Sequence, residues 1–214
     1  MFDLDQTLAE SKQALTPEMA ALLSRLLSQT KVAVISGGAL PQFLTQVVTQ
    51  LPQGTNLSNL YLLPTSGAAL YEWKSGTWEM VYEEKLSQED AARIAEAIRA
   101  VAEETGIIDF SSPSYGGRIE YRGSEESVSA LGQQAPIDLK KAWDPDKSKR
   151  RALQEALAKR LPEFAVGMGG STTIDITKKG VDKAFGIEKI SKHLAIPVST
   201  MLYVGDELEA GGND

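Results

Sequence analysis

The sequence has 214 residues and a formal net charge of −7, with 22 Lys and Arg against 29 Asp and Glu. That length can bury one or two cores, and the acidic balance excludes a non-specific nucleic-acid binder, which needs a basic face. With no cysteine, disulfides, thiolate chemistry and cysteine-ligated zinc are excluded and a cytoplasmic location fits; the apolar runs fall far short of the about 20 residues of a membrane span, so no membrane partner is expected.

In the opening MFDLDQTL, MFDL reads as the end of a strand, with Asp3 on it and Asp5 and Thr7 following. Strand alternation turns residues two apart to one side, and two carboxylates held together need a cation or a proton between them. Thr16-Pro17-Glu18 marks a helix start, with Thr as cap and Pro at the first helical position, and the helix runs through MAALLSRLLSQ. KVAVIS (31–36) is a continuous apolar run, the pattern of a buried parallel strand. Gly37-Gly38 break it, LPQFLTQVVTQL reads as helix, and LYLLPT (60–65) as a second buried strand. AALYEW and TWEMVYEE flank Lys74-Ser75-Gly76 as a hairpin. Alternating strands and helices predict a parallel α/β sheet.

From about residue 84 the texture changes. Ser87 with Asp90 starts a helix, and Ala91, Ile94, Ala95, Ile98, Val101 and Ala102 follow at helical spacing. GGRIEYRG and ESVSALG read as strands. Asp144-Pro145 starts a helix, basic on its exposed side, that ends near Leu161-Pro162; FAVGMGG and STTIDIT read as two more strands. This helix-strand-strand pattern, repeated, predicts an α+β insertion at 84–178. The chain then returns to its first texture with the helix AFGIEKISKHLA and the strand MLYVG. Trp73, Trp78 and Trp143 read as packing residues, and His193 as surface.

Four clusters follow strand signals, where α/β sheets place active sites: Asp3/Asp5/Thr7, Ser36-Gly37-Gly38, Lys183, and Asp206 with Asn213-Asp214. Taken alone, each has a plain reading as a chance acidic pair, a glycine turn, a solvated lysine or an acidic surface loop. Together and in this order they form a phosphoryl-transfer set. A carboxylate such as Asp3 can attack phosphorus. Mg²⁺ takes hard oxygen ligands, which Asp3 and Asp206 offer. Ser36 and the following N–H groups can hold phosphate oxygens, Lys183 can neutralise the transferring group, and Asp5 can act as acid and base.

FDLDQTL, VISGG, GVDK and GDELEAGGND resemble motifs one to four of the haloacid-dehalogenase-like phosphotransferases, and the αββαββ insertion resembles their type IIB cap. Within that superfamily, GRIEYR, GGSTTIDI, KGVDKAFGI and YVGDELEAGGND are similar to stretches of the eukaryotic-type phosphomannomutases and related sugar-phosphate phosphatases. The resemblance implies a Rossmann-like parallel-sheet core from 1–83 and 179–214 with a cap at 84–178, hinged near 84 and 178. It implies that Asp3 is the nucleophile, Asp5 the acid/base, and that Asp3, the Asp5 backbone carbonyl and Asp206 bind Mg²⁺. Ser36, Gly37 and Lys183 would meet the phosphoryl group, and Arg122, Thr173 and Asp175 the sugar. It also implies apolar residues before FDLD and further elements after GGND, so the sequence is expected to be a fragment.

Two departures bear on activity. Gln6 stands where these families commonly have Gly. The mutase pattern uses several cap arginines for a second phosphate, yet Gln133 stands where one is expected and Ile137 to Lys141 offers only lysines, leaving Arg118, Arg122 and Lys140. Arg is the better bidentate phosphate clamp. The expectation is therefore a sugar-phosphate phosphatase ahead of a phosphomannomutase, with a non-catalytic sugar-phosphate-binding protein as the third reading.

Overall fold

In chain order the elements are β1 (Phe2–Asp3), α1 (Pro17–Leu27), β2 (Val32–Ile35), α2 (Leu40–Gln46), β3 (Leu60–Leu63), β4 (Ala69–Lys74), β5 (Thr77–Glu83), α3 (Gln88–Thr105), β6 (Ile119–Tyr121), β7 (Glu125–Ser129), α4 (Ile137–Trp143), α5 (Ser148–Arg160), β8 (Phe164–Met168), β9 (Thr173–Lys178) and α6 (Lys183–Leu194). They come from a computed structural model that describes residues 1–10, 12–209 and 214. The chain divides into two compact units, 1–83 with 181–214, and 84–180. The second unit ends at Gly180, a positive-φ turn two residues beyond the expected 178.

The first unit is a sheet in the order β1-β2-β3-β4-β5. β1, β2 and β3 pair in parallel, with Asp3 opposite Ile35, and the β4–β5 hairpin adds an antiparallel edge. Strand alternation splits the apolar runs between two faces. Val32, Val34, Leu60 and Leu62 pack with Leu23, Leu27 and Phe43 of α1 and α2, while Ala33, Ile35, Tyr61 and Leu63 pack with Ile190 of α6. Burial on both faces is why these strands read as unbroken apolar runs. Thr16 caps α1 by accepting from Met19 N at 3.2 Å.

The second unit is an antiparallel sheet in the order β6-β7-β9-β8. One face carries Ile119, Val128, Ile174, Ile176, Val166 and Met168 against Ile94, Ile98 and Val101 of α3 and Leu153 and Leu157 of α5. Ser87 caps α3 by accepting from Asp90 N at 3.0 Å. Among the described residues, no helix is long and apolar enough to cross a membrane.

Three local expectations are corrected, and one short helix is added to them. The helix expected over 40–51 ends at Gln46 and Val48–Gln50 is a 3₁₀ turn, because Val47, Val48 and Thr49 are successive β-branched residues that crowd a helical turn. The short helix α4 buries none of its residues and has no side-chain cap, so it leaves no periodic signal. The helix expected from Asp144 starts at Ser148, with the Asp144 carboxylate accepting from Lys149 N at 2.9 Å and Arg150 N at 3.2 Å. MLYVG is not a full strand: Val204 makes an isolated parallel bridge to Phe2, since β1 offers a ladder of only Phe2–Asp3.

Candidate active site

Asp3 ends β1 and is 4% exposed. Its backbone N–H donates to Val204 O at 2.9 Å, which fixes the 203–206 segment beside it. Lys183 opens α6, whose cap Asp182 accepts from Phe185 N at 2.8 Å. One turn on, Gly186 lies against Gly67 in the loop after β3; an added Cβ on Gly186 would sit 2.9 Å from Gly67 Cα and 3.0 Å from Ile35 Cδ1. Only a residue without a side chain lets α6 approach so closely. That approach helps bring the Lys183 ammonium to the end of β1, where Nζ donates to Asp3 Oδ1 at 2.7 Å and to Asp214 Oδ1 at 2.5 Å.

Asp214 also accepts from the Tyr203 hydroxyl at 2.6 Å and from Glu207 N at 3.0 Å. An added Cβ on Gly205 would lie 2.5 Å from Asp214 Oδ2, so glycine there admits the carboxylate. Asp3, Asp206 and Asp214 each offer an oxygen within 4.8 Å of the others. One ammonium against three carboxylates leaves negative charge uncompensated, and the protonation equilibria carry that signature. Burial raises Asp3 to about 6 against the opposing pull of Lys183, and Asp214 and Asp206 add to the rise. Burial, Asp214 and Glu207 push Asp206 up. Burial also pushes on Asp214, but bonds from Lys183, Tyr203 and the Glu207 N–H outweigh it and hold Asp214 below its usual value. Burial and the Asp214 carboxylate keep the Tyr203 hydroxyl protonated well past its ordinary range.

The donor set suits a divalent cation. Three carboxylates are hard oxygen ligands, and their spread is close to the about 4.2 Å that spans a Mg²⁺ shell of 2.1 Å bonds.

Ser36 follows β2 and is buried; its Oγ accepts from Gly38 N at 3.3 Å. Next to it, Thr65 N donates to Gly38 O and Ser66 N to Ser36 O, both at 2.9 Å. Thr65 and Ser66 have φ of 49° and 55°, a strained conformation for a β-branched residue and its neighbour. The Thr65 and Thr7 hydroxyl oxygens are buried with no hydrogen-bond partner among the described residues.

Asp5 does not share one side of a strand with Asp3. β1 ends at Asp3, Gln6 turns through φ 64°, and Asp5 Oδ1 accepts from Lys12 N at 2.8 Å. Its carboxylate is not among the three clustered ones; Asp214 is. Asn213 lies outside the described residues. Sequence reasoning assigned no role to Asp214, Tyr203 or Thr65; only the grouping of Asp206 with Asn213-Asp214 pointed toward the first of them.

In the second unit, Arg122, Thr173 and Asp175 lie on the sheet face opposite the apolar one. Arg122 bonds Glu120 Oε2 at 2.8 Å and Glu125 Oε1 at 2.7 Å, and lies 3.9 Å from Asp175 Oδ1. Asp175 accepts from Ser127 Oγ at 2.6 Å. Arg118 is not placed as a free clamp: its guanidinium donates to Ala130 O, Ser112 O, Ser112 Oγ and Pro113 O.

A parallel sheet with Asp3 ending one strand, Ser36 following the next and an inserted antiparallel unit defines a class: the chain belongs to the haloacid dehalogenase-like hydrolases, a family of enzymes whose model matches residues 1–209. Among its relatives is the phosphomannomutase of Encephalitozoon cuniculi, 27% identical over 226 residues that cover 100% of this chain and 81% of the relative. Human phosphomannomutase 1 is 21% identical, covering 100% of this chain and 80% of its own length. Of solved structures, a truncated, IMP-bound IMP-nucleotidase of Plasmodium falciparum matches with a TM-score of 0.65 at 16% identity, covering 99% of this chain and 60% of that one. A haloacid dehalogenase-like hydrolase from Bacteroides thetaiotaomicron matches with a TM-score of 0.65 at 17% identity, over 96% of this chain and 80% of that one. The chain thus spans 60% of the length of that nucleotidase, and these structural matches speak for the fold alone.

Proposed function

We propose that the protein is a Mg²⁺-dependent phosphotransferase that hydrolyses a phosphorylated sugar through a phospho-aspartate formed on Asp3. The observation that carries this reading is the Lys183 ammonium, shared between Asp3 at 2.7 Å and Asp214 at 2.5 Å, beside a third carboxylate. Asp3, Asp206 and Asp214 would hold Mg²⁺, which supplies charge to offset the incoming phosphate dianion. Asp3, with a pKa of about 6, is ionised at neutral pH and attacks phosphorus. Lys183 balances charge on the nucleophile and the transferring group. Ser36 Oγ accepts from Gly38 N, which leaves its own O–H to donate to a phosphate oxygen, with Gly37 beside it. Asp5 gives a proton to the leaving alcohol and then takes one from water. Arg122, Thr173 and Asp175 contact the sugar.

Transfer to a sugar hydroxyl, the phosphomannomutase reaction, is the second reading, favoured by relatives of that name that align with the whole chain. Incubation with Mg²⁺, mannose 1-phosphate and a trace of hexose bisphosphate, followed by phosphorus NMR, separates them. Free phosphate is the expected product, and mannose 6-phosphate would favour the mutase. Asp3→Asn should abolish turnover with the circular-dichroism spectrum unchanged, and retained turnover would remove Asp3 as nucleophile.

A further inference from the structure

On one side Tyr203 is a packing residue. Its ring lies against the cluster of Ile35, Leu63, Leu70 and Ile190, and phenylalanine would fill that place as well. The hydroxyl has a different neighbour: it donates to Asp214 Oδ1 at 2.6 Å. The segment that carries it is fixed against β1, where Val204 N donates to Met1 O at 3.0 Å and Asp3 N donates to Val204 O at 2.9 Å. Tyr203 therefore ties Asp214 to the strand that ends in Asp3.

The Asp214 side chain is 0% exposed, so protein donors and not water set its orientation. Lys183 and Tyr203 both donate to Oδ1, at 2.5 and 2.6 Å, and Glu207 N donates to Oδ2 at 3.0 Å. Gly205 leaves room for the arrangement, since an added Cβ would lie 2.5 Å from Asp214 Oδ2 and 2.9 Å from Tyr203 Cε1. The two side-chain donors differ in effect. Lys183 brings a positive charge, which Asp3 shares. The phenol is a neutral donor, so it orients the carboxylate without cancelling the negative charge that a cation needs. Partners that orient a ligating carboxylate govern metal affinity nearly as strongly as the ligand does.

We propose that Tyr203 is a positioning residue: its hydroxyl holds the Asp214 carboxylate in the cluster with Asp3 and Asp206, and thereby sets the affinity of that cluster for a divalent cation. This rests on the reading that the three carboxylates hold Mg²⁺.

The test measures cation binding without turnover, on the full chain. Mn²⁺ suits the same oxygen ligands, and its free fraction is read by electron paramagnetic resonance. Tyr203→Phe keeps the ring and should weaken Mn²⁺ binding about 10-fold, with the circular-dichroism spectrum unchanged. Asp214→Asn should weaken it by a similar factor. The double variant should then bind no more weakly than Asp214→Asn alone, because residues that act through one contact do not add. Loosened packing around the ring would act independently of Asp214, and the two losses would multiply. If Tyr203→Phe does not fold, Tyr203→Met removes the same donor and fills the space with a flexible side chain. Binding by the folded variant equal to the parent's, or losses that multiply in the double variant, overturns the proposal and leaves the cation reading standing. A parent that binds no Mn²⁺, or binds it no better than a protein carrying Asp3→Asn and Asp206→Asn, defeats the cation reading and this inference with it.

Discussion

At the scale of single residues, the decisive feature is an aspartate held where its charge is costly. Asp3 rises from 3.8 to about 6 because burial and two further carboxylates outweigh Lys183. Between those values the folded state binds more protons than the unfolded chain, so stability falls as pH rises through the window, by an order of 3 kcal/mol once Asp3 is ionised. Asparagine mimics the neutral form. Asp3→Asn without metal should therefore melt several degrees above the parent at pH 7, with the gap closing near pH 4; calorimetry showing it melting lower at pH 7 would refute the account. On the proposed reading Mg²⁺ would supply the missing charge, so adding it should raise the parent's melting temperature more than that of Asp3→Asn, and chelation should reverse the gain. Asp3, Ser36 and Lys183 were readable because each follows a strand signal in a fixed order. Asp214 was grouped with Asp206 but given no role, because its approach to Asp3 rests on the bonds that Lys183 and Tyr203 make to it, which no local pattern shows.

At the scale of elements, α6 carries the lysine and the helix is set by one backbone contact. Gly186→Ala would bring a Cβ to 2.9 Å from Gly67 Cα, with Ile35 Cδ1 and Leu63 Cδ2 at 3.0 and 3.1 Å. Backbone cannot yield as a flexible side chain does, so the helix must shift. The expected cost is about 1–3 kcal/mol, and because misplacing a catalytic group by about 1 Å can cost 100-fold, kcat should fall by at least about 10-fold. Urea unfolding and steady-state kinetics check both, and an unchanged kcat would mean that the contact does not position Lys183. Asp182→Ala, which removes the cap bond to Phe185 N, should cost about 1 kcal/mol and lower kcat less. Legibility at this scale followed burial. α1 and α3 announced themselves by cap and apolar period, and Thr16 and Ser87 cap them. α4 was invisible because IDLKKAW buries nothing. MLYVG has a strand's composition but finds only Phe2 to bridge, and pairing is not written in composition.

At the scale of the whole molecule, each unit has its own apolar cluster and each contains a carboxylate that titrates high. In the second unit it is Glu126, on the face of β7 shared with Val128 and paired with Tyr121 and Ile176. It is buried, its Oε2 has no partner among the described residues, and burial raises it from 4.5 to about 7. Glu126 and Asp3 thus act in the same direction: each lowers stability as pH rises, Asp3 between 3.8 and about 6, Glu126 between 4.5 and about 7. The opposite sign belongs to Asp144. Burial pushes it up, but Arg150 and the Lys149 N–H bonds outweigh that and hold it below 3.8, so its contribution is present above that value and fades as pH falls through its lowered one. The melting temperature should therefore peak near pH 4, below the rise of both windows, and decline toward pH 8. Glu126→Gln removes the charge and keeps the shape. It should leave melting unchanged at pH 4.5 and raise it at pH 8, by an order of 3 kcal/mol in the stability of its own unit. Calorimetry at both pH values reads this directly, and if two transitions are resolved, only one should move. A variant that melts with the parent at pH 8 would show that Glu126 finds a partner when ionised, and the decline would then fall to Asp3, Asp206 and Glu125.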